Sequence, residues 1–148
     1  MRAMSALFLL PSALALAACH GGDDGPSVPG DRSDSQPYNE VSPDEELRFR
    51  GTEPFWGGEV TGSEMVYRTP GQPEGKRVTI SRFNGRGGFS YSGKLDGVTF
   101  TMAVTPGKCS DGMSDRLYPF VVMMQRGEQV LHGCAWSQSH PFSGPAAP

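Results

Sequence analysis

The side chains with chemistry to offer fall into two strings far apart in the chain. The first is Gly51-Thr52-Glu53-Pro54-Phe55-Trp56. The second is Cys109-Ser110-Asp111-Gly112-Met113-Ser114-Asp115-Arg116, followed by Tyr118-Pro119-Phe120 and, further on, Gly133-Cys134-Ala135. Glu53, Trp56, Asp111, Asp115 and Arg116 make the candidate binding set. Asp111 and Asp115 have oxygens suited to a cation. Calcium, however, takes about six to eight oxygens, and the D-x-D-x-D-G spacing of a calcium loop is absent. A metal site is therefore not expected. The structural alternative is a tightly bonded loop. Ser110, Asp111, Ser114 and Asp115 are short polar residues that cap backbone donors, and Gly112 suits a positive φ. Phe55 and Trp56 read first as lids on a core. Trp56 beside Glu53 also suits the mouth of a small barrel, a common place for ligands. An ion pair between Arg116 and Glu53 would join the two strings.

Catalysis finds little support. A nucleophilic Ser or Cys needs a base within hydrogen-bond reach. The histidines beyond residue 18 are His20, His132 and His140. His20 and His140 fall in segments without a core pattern. His132 sits mid-strand, on the same face as Val130 and Cys134. Glu53, Glu59, Asp111 and Asp115 are carboxylates on paper for a glycosidase pair, but their spacing does not define its geometry. No G-x-S-x-G or H-E-x-x-H motif occurs. Gly85-Arg86-Gly87-Gly88 reads as a hairpin loop, since no helix pattern follows it to cradle a phosphate. The expectation is a protein that is not an enzyme and carries no cofactor.

The elements that position these residues begin with the cysteines. Three are present, and an odd count calls for an explanation. The first ends the string Leu7-Phe8-Leu9-Leu10-Pro11-Ser12-Ala13-Leu14-Ala15-Leu16-Ala17-Ala18-Cys19. Arg2 supplies a positive start, an apolar stretch follows, and small residues precede Cys19, as in a signal peptide. The stretch is short of the roughly 18–20 apolar residues of a spanning helix. Leu16-Ala17-Ala18-Cys19 resembles the cleavage site of bacterial lipoproteins. The resemblance implies removal of residues 1–18 and lipidation of Cys19. Two or three acyl chains hold a protein stably, whereas one holds only marginally. His20 follows where an aspartate would signal retention in the inner membrane. The expected location is thus the cell envelope, at the outer membrane facing the periplasm. In that oxidising compartment the remaining pair, Cys109 and Cys134, is expected to form a disulfide. The competing two-cysteine metal site lacks a C-x-x-C spacing.

Composition then changes near Leu47. From His20 to Glu46 there are eight acidic residues and one basic residue, with few large hydrophobes. Such a stretch buries too little apolar surface to offset ordering entropy. Residues 19–46 read as the lipidated cysteine and a disordered acidic tether. From Leu47 onward eleven Lys and Arg face eight Asp and Glu. The basic residues are scattered, so no nucleic-acid partner is expected. Residues 47–136 are long enough for one small core. Residues 137–148 read as a disordered tail.

That core reads as β throughout. Val98, Phe100, Met102 and Val104 alternate with Thr99, Thr101, Ala103 and Thr105. Asp96-Gly97 signals a hairpin joining this strand to Phe89-Ser90-Tyr91-Ser92. Val78-Thr79-Ile80 and Met65-Val66-Tyr67 are further strands, the latter after a turn at Gly62-Ser63. Phe120–Met124 is a continuous apolar run, expected to be buried on both faces. It pairs with Gln129–Trp136 across a turn at Arg126-Gly127. One helical turn around Ser114–Leu117, limited by Pro119, is the best helix candidate. About seven or eight short strands predict a small all-β antiparallel barrel or sandwich with one disulfide.

The two strings and the later Gly133-Cys134-Ala135 together resemble a family of bacterial envelope proteins, many of them lipoproteins. Some of these are joined to META-type or lysozyme-inhibitor-like domains. The resemblance covers roughly residues 47–135. It implies a periplasmic β domain and the Cys109–Cys134 disulfide, and it implies no catalytic residues. The expected role is a binding or structural envelope module, held to the membrane by its lipid and meeting an envelope protein or a cell-wall partner. The alternative is an inhibitor of a cell-wall-degrading enzyme, for which Tyr91-Ser92-Gly93-Lys94 is the nearest candidate loop. A hydrolase ranks third.

Overall fold

A computed structural model describes residues 36–145. Cys19 and the signal segment lie outside these residues, as does most of the acidic stretch. Among the described residues are eight strands: β1 (Leu47–Thr52), β2 (Phe55–Thr61), β3 (Glu64–Thr69), β4 (Gln72–Gly85), β5 (Gly88–Leu95), β6 (Val98–Cys109), β7 (Tyr118–Arg126) and β8 (Gln129–Ser137). Each is antiparallel to the next, and β1 pairs with β8, so the sheet closes into an up-and-down barrel. Closure settles the choice between barrel and sandwich and leaves no open sheet edge.

Local chemistry sets the turns. Asp96 and Gly97 both have positive φ (54° and 78°), the conformation of the two-residue hairpin that suits twisted strands. The β1–β2 turn is Glu53-Pro54, with a cis bond between them. Alternation fills the interior. Phe49, Met65, Tyr91, Phe100, Met102, Val104, Phe120, Val122 and Met124 are all buried inside. Phe89 packs edge-on against Tyr91 and Phe120, with ring centroids 5.6 and 6.2 Å apart.

Three local expectations are corrected. The run Phe120–Met124 is buried on one face only: Val121 and Met123 stand on the outer wall, 41% and 47% exposed. A closed single-layer barrel has one interior, so alternate residues of every strand must face outward. The candidate helical turn at Ser114–Leu117 is a series of bends ending in a bridge from Leu117 to Ser143. The segment instead turns towards Ser143, and Leu117 N–H donates to Ser143 O at 3.0 Å rather than to a carbonyl one turn back.

The third correction concerns the extent of the folded unit. Tyr38 stacks on Phe89 at 5.7 Å, and its N–H donates to Gly85 O at 2.7 Å. Val41 is buried in the core, and its carbonyl accepts from Arg82 Nη2 at 2.7 Å. Beyond β8, Phe142 packs against Tyr118 and Trp136, and Ser143 bonds Leu117 through the backbone. The packed chain therefore runs past both boundaries of residues 47–136. Single aromatic and aliphatic anchors in polar stretches are enough to dock them.

Candidate functional site

The bulge between Pro106 and Cys109 takes the end of β6 out of register with β7. Cys109 then bonds to Cys134 of β8, with Cα atoms 5.6 Å apart. This staple places the connection between β6 and β7 against the outer wall of the barrel. Thr52 at the end of β1 donates its hydroxyl to Asp111 O at 3.0 Å, tying the two sequence strings together.

Asp111 organises the connection. Its side chain is fully buried. Oδ1 accepts from the N–H groups of Met113 (3.1 Å) and Ser114 (2.9 Å). Oδ2 accepts from the hydroxyls of Ser114 (2.9 Å) and Tyr118 (3.1 Å). Arg50 Nε approaches Oδ2 at 3.7 Å. Burial pushes this carboxyl up, but the donors from Ser114, Met113 and Tyr118 outweigh it and hold the pKa down at about 2. The carboxylate is thus saturated, and its work is to hold the loop.

Above it lies a cleft of about 360 Å³ lined by Arg50, Thr52, Glu53, Ser110, Asp111 and His132, among others. That volume falls within the usual range of small-molecule sites. A second, more apolar hollow of about 240 Å³ is lined by Phe55, Trp56, Arg68 and Pro70. Arg50 and Gly51 border both. Arg50 is about a third exposed, and among the described residues its ion-pair partner is Asp111. Its two terminal nitrogens make no hydrogen bond within the described residues, so a fork of donors is left for the cleft.

The candidate set is therefore partly assembled. Glu53 and Asp111 share the cleft. Trp56 lies inside the barrel next door, its ring 5.5 Å from Phe49, and its Nε1–H donates to His132 O at 3.2 Å. Gly51 makes room for that indole: a Cβ there would lie 1.9 Å from Trp56 Nε1. Phe55, its neighbour, is exposed rather than a lid. Asp115 is exposed and lines neither hollow. Arg116 does not pair with Glu53. Its Nε donates to Pro145 O at 2.8 Å, and its guanidinium lies 4.5 Å from the Phe142 ring centre. The C-terminal segment, absent from the charge-based guess, supplies its partners. Arg50, Ser110 and His132 are cleft residues that the candidate set left out. Alternation along β1 turns Arg50 outward, but only the folded β6–β7 connection brings it to the cleft.

The Tyr91–Lys94 candidate loop lies wholly within β5, paired with β4 and β6. Tyr91 points into the core. Among the described residues, no cluster of three His, Cys, Asp or Glu side chains could hold a metal ion. No family model matches the chain, and neither a curated protein nor a solved structure matches it.

Proposed function

We propose that this chain is a lipid-anchored lipoprotein of the cell envelope, on the periplasmic side of the outer membrane, and that its barrel is a non-enzymatic binding module. The Leu16-Ala17-Ala18-Cys19 string and the likeness of the two motifs to envelope lipoproteins support the location. The observation that carries the binding role is the donor fork of Arg50, whose terminal nitrogens bond no other described residue, beside an open cleft. With Ser110 and His132 alongside, it suits an acidic group on an envelope protein or a cell-wall peptide, since guanidinium pairs carboxylate bidentately. The buried carboxylate of Asp111 is held by five donor contacts within its own loop, which favours a structural role for the carboxylate that a hydrolase would have used.

Two measurements test the two halves. Mass spectrometry of the mature N-terminal peptide is expected to find acyl chains on Cys19; an unmodified Cys19 overturns the anchor. Crosslinking of the intact envelope is expected to capture a partner with the native chain and to lose at least nine-tenths of it with Arg50→Gln. Equal capture by both rejects the Arg50 cleft.

A further inference from the structure

The cleft and the hollow beside it differ in chemistry, and Arg50 stands between them. The cleft sets Glu53, Ser110 and His132 around the Arg50 guanidinium. The hollow, about 240 Å³, has Phe55, Trp56 and Pro70 in its wall. Its other cation, Arg68, is already spent, because both of its terminal nitrogens donate to Glu59. Phe55, the first residue of β2, is 49% exposed. An anion seated on the Arg50 fork therefore meets apolar surface on one side and polar groups on the other. Two carboxylates limit the charge that anion can carry. Asp111 Oδ2 lies 3.7 Å from Arg50 Nε, and Glu53 lines the same cleft.

We infer that the ligand is the C-terminal end of a polypeptide whose last residue has an apolar side chain. The inference rests on the Arg50 cleft being the binding site, and it names what that site takes. In a C-terminal residue one carbon carries the carboxylate, the side chain and the last peptide nitrogen. With the carboxylate on the guanidinium fork, the side chain leaves to one side and the peptide to the other. That matches the order of hollow, Arg50 and cleft. The hollow has room for one large apolar side chain such as leucine. Glu53 and Ser110 are left to bond the backbone of the preceding residues. Capture of a chain-terminal carboxylate is a recurring mode of peptide recognition. An internal Asp or Glu fits less well, because its carboxylate ends an unbranched arm and leaves the hollow empty. A phosphate group brings about two negative charges to a guanidinium that already has two carboxylates beside it.

The test is fluorescence anisotropy with the full chain, purified in detergent, and a dye-labelled peptide, Gly-Ser-Gly-Ser-Gly-Leu, with a free C-terminus. Saturable binding is expected. Amidating that end, or replacing its leucine by glycine, is expected to weaken binding about tenfold or more. Arg50→Gln should abolish the preference for acid over amide. Phe55→Ser should abolish the preference for leucine over glycine and keep that for the acid. No saturable binding, or equal binding of acid and amide, overturns the inference. So does tighter binding of an amidated peptide with an internal glutamate, or displacement of the peptide by an equal concentration of inorganic phosphate. Crosslinking in the envelope separates this inference from the reading beneath it. A partner lost with Arg50→Gln but not displaced by the free-acid peptide keeps the Arg50 cleft and overturns the C-terminal ligand.

Discussion

Tyr118, the first residue of β7, donates its hydroxyl to the buried carboxylate of Asp111, seven positions earlier, at 3.1 Å. The connection between β6 and β7 is thereby folded back on the strand it leads into. Replacing Asp111 by Ala strands the buried Tyr118 hydroxyl and the Ser114 N–H. A loss of about 2–3 kcal/mol is expected, read from the urea midpoint at unchanged slope. A change under about 0.5 kcal/mol would show the loop to be held by the disulfide alone.

The same carboxylate sets an acid limit. Its folded pKa of about 2 lies below the ordinary 3.8. Its stabilisation is therefore complete above about pH 4 and is lost as pH falls through about 2. The native chain should lose about 2 kcal/mol over that window that Asp111→Asn does not lose. Parallel stability curves for the two proteins between pH 5 and pH 2 (roughly, the window set by those values) would contradict this.

The Cys109–Cys134 bridge spans 25 positions. In the chain-entropy model, removing it costs about 3 kcal/mol. Double replacement by Ser should lower stability by that amount and speed hydrogen exchange in residues 110–117 more than in β4 or β5. Uniform acceleration along the chain would instead mean that the bridge only stabilises the barrel globally.

Gly51→Ala is expected to be severe for so small a change. The added methyl meets Trp56 Nε1 at 1.9 Å and His132 O at 2.4 Å. Overpacking of this kind costs about 1–3 kcal/mol or more. Displacement of Trp56 from the interior should shift tryptophan emission to the red. A blue-shifted or unchanged spectrum with native stability would show that the indole has room to move.

Much of the barrel was readable because strands announce themselves by alternation. Val98 to Thr105 and the Asp96-Gly97 turn are visible in one dimension, and they are where expected. The disulfide was readable from cysteine arithmetic. What alternation cannot show is curvature: Phe120–Met124 looks doubly buried until the sheet closes and turns Val121 and Met123 outward. Charge matching also misled at Arg116. Among the described residues it meets the Pro145 carbonyl and the Phe142 ring, and neither carries a sequence signal. The site was half legible for the same reason. Glu53 and Asp111 stand out as carboxylates in motifs. Arg50 becomes notable only when β1 is paired with β8 and the β6–β7 connection is laid beside it.

The pairing of β1 with β8 has a consequence for the order of events as the chain matures. Arg50 and Phe49, near the beginning of the barrel, find their partners in Cys134 and Ala135. No shorter length of chain completes the cylinder, so β1 must wait, unsatisfied on one side, until the last strand is available. Contacts so distant along the chain slow folding. For a chain synthesised from its N-terminus, the final cooperative step cannot begin until β8 has been made. The last strand therefore acts as the timer for the whole domain.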